Sequence, residues 1–225
     1  MIHCHPRIGP RVGQAGFTFL EIVVVIAIIA LLAGTIAPMA NASLSVEKTN
    51  SVRAELAAVA VALEDHYAQN AAFPASLTAT SFYGVCVLPG VDDARLRDDW
   101  AGNHGYFQYA LTSNPDTAIV WSVGSNGIND GSGAESLRVI VRGARTGADK
   151  TRQRIAVIAA RLAQRLSSGG SITGTWSTDR VALGLGAEYA TDGFGTAFQL
   201  LATDYVIRSA GPDRSFATTV DNITN

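Results

Sequence analysis

The sequence lacks the motifs that carry most enzymatic chemistry. Its 225 residues contain no G-x-S-x-G nucleophile elbow, no G-x-x-x-x-G-K-[ST] phosphate loop and no H-E-x-x-H zinc motif. A basic excess is also missing, because 17 Lys and Arg residues stand against 19 Asp and Glu residues, for a net charge of −2. We therefore expect neither an enzyme nor a nucleic-acid-binding protein.

Charge is absent from a long stretch near the N-terminus. No charged side chain occurs in residues 22–46, and residues 22–32 are almost entirely Val, Ile, Leu and Ala. Since about 20 apolar residues in a helix span the hydrocarbon core of a bilayer, we predict a transmembrane helix here. Arg7 and Arg11 precede this helix, so we expect a cytoplasmic N-terminus and an exported C-terminal part. Glu21 borders the apolar run. Placing a carboxylate in the membrane costs about 3 kcal/mol of free energy, so we expect Glu21 to have a binding partner or a functional role.

Residues 16–22, which read GFTFLEI, resemble the processing site of type IV pilins and type II secretion pseudopilins. The resemblance implies that a prepilin peptidase/methyltransferase cuts between Gly16 and Phe17 and N-methylates Phe17. It also implies that Glu21 pairs with the terminal amine of a neighbouring subunit during assembly. Pro38 falls where the family places a helix-kinking proline. A secretory signal peptide is cut after its apolar region, whereas here the glycine precedes that region, so the helix stays in the mature protein.

The implied leader is residues 1–16, and its removal would take Cys4 with it. Cys86 would then have no cysteine partner, so we expect no internal disulfide in the mature chain. The resemblance implies a single-pass inner-membrane protein with a periplasmic head. The partners that it implies are homologous pseudopilin subunits in a helical filament, an inner-membrane assembly platform and the lipid bilayer.

Behind the predicted transmembrane and assembly helix (17–47), a second helical pattern follows the polar stretch that runs from Pro38 through Ser45. Its apolar residues recur at steps of three and four, which predicts one buried helix face. These residues are Val52, Leu56, Val59, Leu63 and Tyr67. Asn70 and Pro74 mark the expected end of the helix.

Two strands are expected next, at residues 106–110 and 118–122, with a turn between them at residues 114–116. Together with the preceding DDWAGN segment and the following glycine-rich loop, they resemble the D-P-W-G-N-P-Y-x-Y and S-x-G-x-D-G signature of the major pseudopilin of type II secretion. The departures are an additional Ala101, the absence of the proline that follows the tryptophan and glycine in the signature, and an asparagine, Asn126, in place of an aspartate. We assign residues 48–143 to a pseudopilin-like head unit.

The pattern then restarts, which predicts a second head-like unit at residues 148–225 by internal duplication. A new apolar stripe ends at a Ser-Gly-Gly stop, and its members are Ile155, Ile158, Leu162 and Leu166. Asp192 and the residues after it parallel Asp99 and its followers, and residues 206–213 parallel residues 119–126. Residues 143–147 contain two glycines and are expected to form an irregular joint. The alternative is one enlarged head with a C-terminal extension.

These elements predict an α+β fold. We expect a long N-terminal hydrophobic helix that continues into a pilin-like head with a small antiparallel sheet, followed by a second helix-plus-sheet unit.

The C-terminal loop, residues 209–223, resembles the S-x-G-P-D-G-x-x-G-T-x-D-D-I loop of major-pseudopilin relatives, where calcium stabilises the fold. Calcium takes six to eight oxygen ligands. The resemblance implies carboxylate ligands from two aspartates and carbonyl ligands from two further residues, namely Asp213, Asp221, Ala210 and Thr219. Arg214 stands where the family has glycine, and so does Ala217.

Three functional interpretations follow. The first is a structural subunit of a periplasmic pseudopilus in a type II secretion-like system. The second is a type IV pilin or minor pilin that acts in adhesion, motility or DNA uptake. The third is a pilin-anchored binding module whose second unit recognises a ligand. The resemblance of the two head loops to the major pseudopilin favours the first interpretation.

Overall fold

The computed structural model describes residues 18–87, 93–102, 105–133 and 137–225. The described chain divides into two compact units, one ending at Glu47 and the other spanning Lys48–Asn225. Within the second unit, we call residues 48–142 the first subdomain and residues 144–225 the second subdomain.

Helix α1 spans Phe19–Asn70 and begins directly after Thr18. The helix runs on through Pro38 and the polar stretch behind it, so the apolar segment and the predicted head helix form one element. Among the described residues, α1 is the one helix long and apolar enough to cross a membrane. Its large apolar side chains between Phe19 and Leu32 are exposed, as a lipid-facing surface requires.

The first subdomain packs the C-terminal part of α1 against a three-stranded antiparallel sheet. The strands are β1 (Gln108–Leu111), β2 (Thr117–Trp121) and β3 (Arg138–Arg142), in the order β1-β2-β3. The predicted apolar stripe is confirmed, because each of its residues is at most 2% exposed. From the sheet, Val120 and Val141 complete this core.

The second subdomain repeats this arrangement without a membrane segment. Helix α2 (Ala144–Ser167) and helix α3 (Trp176–Ala182) are followed by strands β4 (Gln199–Leu201), β5 (Val206–Ser209) and β6 (Ile223–Thr224). The strands form a second antiparallel sheet in the order β4-β5-β6. Its core has residues from α2, α3 and the sheet, among them Ile158, Trp176, Phe198 and Ile207. The predicted α+β fold with a second helix-plus-sheet unit is confirmed.

The prediction of an irregular joint at residues 143–147 is wrong, because α2 begins at Ala144. The two glycines allow close packing against aromatic rings and do not serve as a flexible connection. A Cβ on Gly143 would lie 2.5 Å from the ring of Tyr67, and a Cβ on Gly147 would lie 2.6 Å from the ring of Phe194. A glycine inside a helix costs about 1 kcal/mol relative to alanine, but alanine at Gly147 would clash with the ring of Phe194.

Candidate functional site

The start of α1 holds Glu21 in a capping box. The Thr18 amide donates to Glu21 Oε2 at 3.5 Å, and the Glu21 amide donates to Thr18 Oγ1 at 3.3 Å. Such reciprocal bonds satisfy two of the backbone donors that every helix N-terminus leaves unpaired. The carboxylate is also favourably placed near the positive end of the helix dipole. Glu21 therefore has an intramolecular partner, which the T-x-x-E spacing of residues 18–21 could have indicated.

The other predicted N-terminal site residues are less fully described. Gly16 and Phe17 lie outside the described residues, although Phe17 directly precedes Thr18 in the sequence. Pro38 lies within α1, but its side chain is outside the described part of the chain. The roles that the resemblance gives these residues remain predictions.

A buried carboxylate organises the loops of the first subdomain. Asp98 is 1% exposed and accepts hydrogen bonds from Ser122 Oγ at 2.8 Å, from the Val123 amide at 2.8 Å and from the Trp100 amide at 3.0 Å. Ser122 Oγ in turn accepts from the Gly124 amide at 3.0 Å. Since a buried carboxylate needs several donors, this network fixes the end of β2 against the loop that precedes β1.

The second subdomain contains a similar network around its own buried aspartate. Asp192, also 1% exposed, accepts from Ser209 Oγ at 2.6 Å and from the amides of Phe194 and Thr196, both at 2.9 Å. Ser209 Oγ accepts from the Gly211 amide at 3.1 Å. The structural counterpart of Asp192 is thus the buried residue Asp98, one residue before the aspartate that the sequence comparison paired with it.

The turns that follow the two serines also match. The amide of Gly127 donates to the Gly124 carbonyl and the amide of Arg214 donates to the Gly211 carbonyl, each at 3.1 Å. The fourth residue of each turn has a positive φ, which is +68° at Gly127 and +57° at Arg214. Arg214 therefore adopts the left-handed conformation for which glycine is suited, at a cost of about 1–2 kcal/mol.

Arg214 connects the two subdomains. Its Nη2 donates to Asp116 Oδ1 at 2.7 Å, while its Nε and Nη1 donate to the carbonyls of Phe194 and Pro212 at 3.1 Å. The Asp116 side chain is 2% exposed and also accepts from the Tyr67 hydroxyl at 2.5 Å. Burial, followed by the hydrogen bond and charge of Asp116, raises the pKa of Tyr67, so this hydroxyl remains a hydrogen-bond donor to Asp116 further into alkaline pH than an exposed tyrosine would.

The predicted calcium loop brings its two aspartates together. The Asp213 amide donates to Asp221 Oδ2 at 3.3 Å, and Asp213 itself accepts from the Ser215 amide at 2.8 Å and from Thr218 Oγ1. Ala210 is fully buried at the base of the loop. Thr219 is exposed. Within the described residues, no group of three or more His, Cys, Asp or Glu side chains is placed to hold a metal ion.

The side chain of Asn222 bears on whether this loop can bind a calcium ion. Both Oδ1 and Nδ2 of Asn222, next to Asp221, are buried without a hydrogen-bond partner. Calcium accepts amide oxygens as well as carboxylate and carbonyl oxygens. In donor type, the residues of this loop fit calcium, with Asn222 as an oxygen source that sequence reasoning overlooked.

The comparisons with known proteins bear on the N-terminal segment. Residues 11–37 match the family model described as the prokaryotic N-terminal methylation motif. Comparisons with curated proteins and with solved structures found no match. The matched residues include Gly16, Phe17 and Glu21 and the whole apolar run at residues 22–32. This chain therefore has a type IV pilin-like N-terminus of the kind that prepilin peptidase processes, followed by a helix consistent with membrane anchoring.

Proposed function

We propose that this chain is a structural subunit of a periplasmic pseudopilus in a type II secretion-like system, without a catalytic role. The observation that carries the proposal is the methylation motif at residues 11–37, which leads directly into a helix that continues from an apolar segment into the head. The buried Asp98 network supports the pseudopilin assignment, because it gives a structural reason for the first aspartate of the DDWAGN segment and for the serine and glycine of the S-x-G pattern.

In this proposal, the peptidase removes residues 1–16 and leaves a methylated amine on Phe17. A substitution of Gly16→Trp should prevent cleavage, because a bulky side chain at the cut site cannot enter the peptidase site. Gly13→Trp places the same side chain three positions earlier in the leader and serves as the matched control. We expect mass spectrometry to find the leader retained in the first variant and removed in the second. A mature Phe17 terminus in the Gly16→Trp variant would refute the assignment.

Assembly depends on Glu21 in this proposal. In the described chain, Glu21 is held by Thr18. In the filament, the Phe17 amine of a neighbouring subunit would pair with the same carboxylate. An unpaired carboxylate in hydrocarbon costs about 3 kcal/mol, so such pairing favours the correct stagger between subunits.

The variant Glu21→Gln separates charge pairing from helix capping, because glutamine keeps the capping box but has no charge. We expect both Glu21→Ala and Glu21→Gln to be processed and then to be missing from sheared filaments. Normal incorporation of Glu21→Gln, together with loss of Glu21→Ala, would show that capping rather than charge pairing is required.

We also propose a calcium ion at the C-terminal loop, with Asp213, Asp221, the carbonyls of Ala210 and Thr219 and the Asn222 amide oxygen as ligands. When bound, calcium would supply a positive charge that links the two ends of the loop. The hydrogen bond from the Asp213 amide to Asp221 Oδ2, which joins the two ends of the loop, and the orphaned amide of Asn222 support this proposal.

A minor subunit, of a pseudopilus or of a type IV pilus, is the second candidate. The compact unit that spans Lys48–Asn225 favours it, because such an enlarged head is harder to accommodate at every position of a tightly packed filament. Quantitative mass spectrometry of purified filaments measures the ratio of this chain to the other subunits. Near-stoichiometric amounts indicate a major subunit, whereas trace amounts indicate a minor one.

A further inference from the structure

The two subdomains are joined by a cluster with contributions from both. Tyr67 near the end of α1 and Asp116 in the β1–β2 turn belong to the first subdomain, and Arg214 belongs to the second. The hydroxyl of Tyr67 and the guanidinium of Arg214 both donate to the same oxygen, Asp116 Oδ1. Since the Asp116 side chain is almost fully buried, it depends on these donors for its charge to be tolerated.

Arg214 is oriented for this contact from its own side. Two further donors of its guanidinium bond the carbonyls of Phe194 and Pro212 within the second subdomain. Its backbone adopts φ +57°, which is unfavourable for a residue with a side chain. The side chain is thus presented to the first subdomain by a loop that would be less strained with glycine.

The cluster has no counterpart at the matching positions of the other subdomain. Gly127 takes the place of Arg214 in the first subdomain. If strands β2 and β5 are aligned through Ser122 and Ser209, Asp116 corresponds to Thr203. Within one chain, the equivalent residues therefore cannot form a second contact of this kind.

We propose that Tyr67, Asp116 and Arg214 form an intramolecular latch that fixes the second subdomain on the first. The conformation of the C-terminal loop and the stability of the end of α1 are consequently coupled, and the two subdomains move as one body. The latch is supported nearby by Lys150, whose Nζ donates to the Ala68 carbonyl at the end of α1. The proposal concerns the head alone and does not depend on filament assembly.

The test is hydrogen–deuterium exchange on the full chain in detergent. Arg214→Gly removes the latch while placing the residue found at Gly127 into the turn. Arg180→Ala is the matched control, because Arg180 donates to the Leu185 carbonyl within the second subdomain. We expect Arg214→Gly to accelerate exchange on the order of tenfold in first-subdomain peptides around Tyr67 and Asp116, and Arg180→Ala to leave them unchanged.

Unchanged exchange at Tyr67 and Asp116 in Arg214→Gly, or equal acceleration in Arg180→Ala, would overturn the latch. A double-mutant cycle with Asp116→Asn provides a second test that does not rely on one variant. The effects of Asp116→Asn and Arg214→Gly on the thermal midpoint should be far from additive, because both remove the same ion pair. Additive effects would count against the latch in the same way.

Discussion

The two subdomains use one loop architecture but bring their helices to different distances from it. In each, a buried aspartate bonds a serine at the end of a strand, and an aromatic residue follows the aspartate at the second position. In the first subdomain, Lys48 Nζ lies 4.3 Å above the ring of Trp100. In the second, Gly147 of α2 packs directly against Phe194. The helix therefore contacts the loop through a long side chain in the first subdomain and through its backbone in the second.

The difference extends to the residue between the aspartate and the aromatic ring. Asp99 is exposed in the first subdomain, but Gly193 takes its place in the second and lies against the Gly147 carbonyl. The shared network and these paired contacts support an internal duplication, which we propose as the origin of the head.

The comparison of the two subdomains predicts that Asp98 and Asp192 contribute equally to the free energy of unfolding. Asp98→Ala and Asp192→Ala each leave several buried donors without an acceptor, so each should lower the free energy of unfolding by about 4 kcal/mol. Asp149→Ala, which removes exposed ion pairs with Arg145 and Arg152, should cost less than about 1 kcal/mol. Urea unfolding in detergent measures all three. A large loss for one buried aspartate but not the other would break the equivalence of the two networks.

The difference in helix distance predicts unequal effects at Asp99 and Gly193. A Cβ on Gly193 would lie 2.0 Å from the Gly147 carbonyl oxygen, and neither backbone can move aside easily. Gly193→Ala should therefore cost about 3 kcal/mol by overpacking, whereas Asp99→Ala should change stability by less than about 0.5 kcal/mol. Thermal unfolding of the two variants decides the point, and equal midpoints would contradict the closer approach of α2.

The two glycine-rich loops are expected to differ in calcium binding. If the second loop binds calcium at a concentration 100-fold above its dissociation constant, the folded state gains about 2.7 kcal/mol. Calcium in place of chelator should then raise the melting temperature of the parent and of Asn126→Ala, but not of Asp213→Ala. Absence of a shift in the parent, or a full shift in Asp213→Ala, would argue against calcium at the second loop.

The raised pKa of Tyr67 predicts a smaller effect, a loss of folding stability at alkaline pH. Its pKa is raised in the folded state by burial and by Asp116, so its stabilising contribution is present below about pH 10 and is lost as the pH rises further. The wild-type chain should lose up to about 1.4 kcal/mol per pH unit more than Tyr67→Phe above pH 10. Unfolding at pH 9 and pH 11 measures this, with the exposed Tyr205→Phe as control. Identical pH slopes for wild type and Tyr67→Phe would contradict the assignment.

The sequence predicted those helices and strands whose apolar residues recur with a regular period. The stripes through Leu63 and Ile158 indicated both head helices, and alternation indicated β1 and β2. Strand β3 was overlooked, as were the seven-residue helix α3 and the two-residue strand β6, because such short segments carry little pattern. Their formation depends on neighbours distant in the chain.

The candidate sites also depend on contacts between residues that are distant in the chain, which the sequence pattern does not show. Asp98 and Asp99 are adjacent and chemically identical, and only burial shows which one organises the loop. Gly147 was interpreted as part of a joint because the sequence does not show that the Phe194 ring lies against it. The latch was overlooked for a similar reason, since Asp116 read as a turn residue and Arg214 as a departure from a glycine.

The intact mass of the wild-type protein extracted from membranes tests the central claim most directly. A pilin-like subunit should have the mass of residues 17–225 with one added methyl group, and fragmentation should place that methyl group on Phe17. An unprocessed chain that begins at Met1, or a terminus on the C-terminal side of the apolar run, would contradict the account.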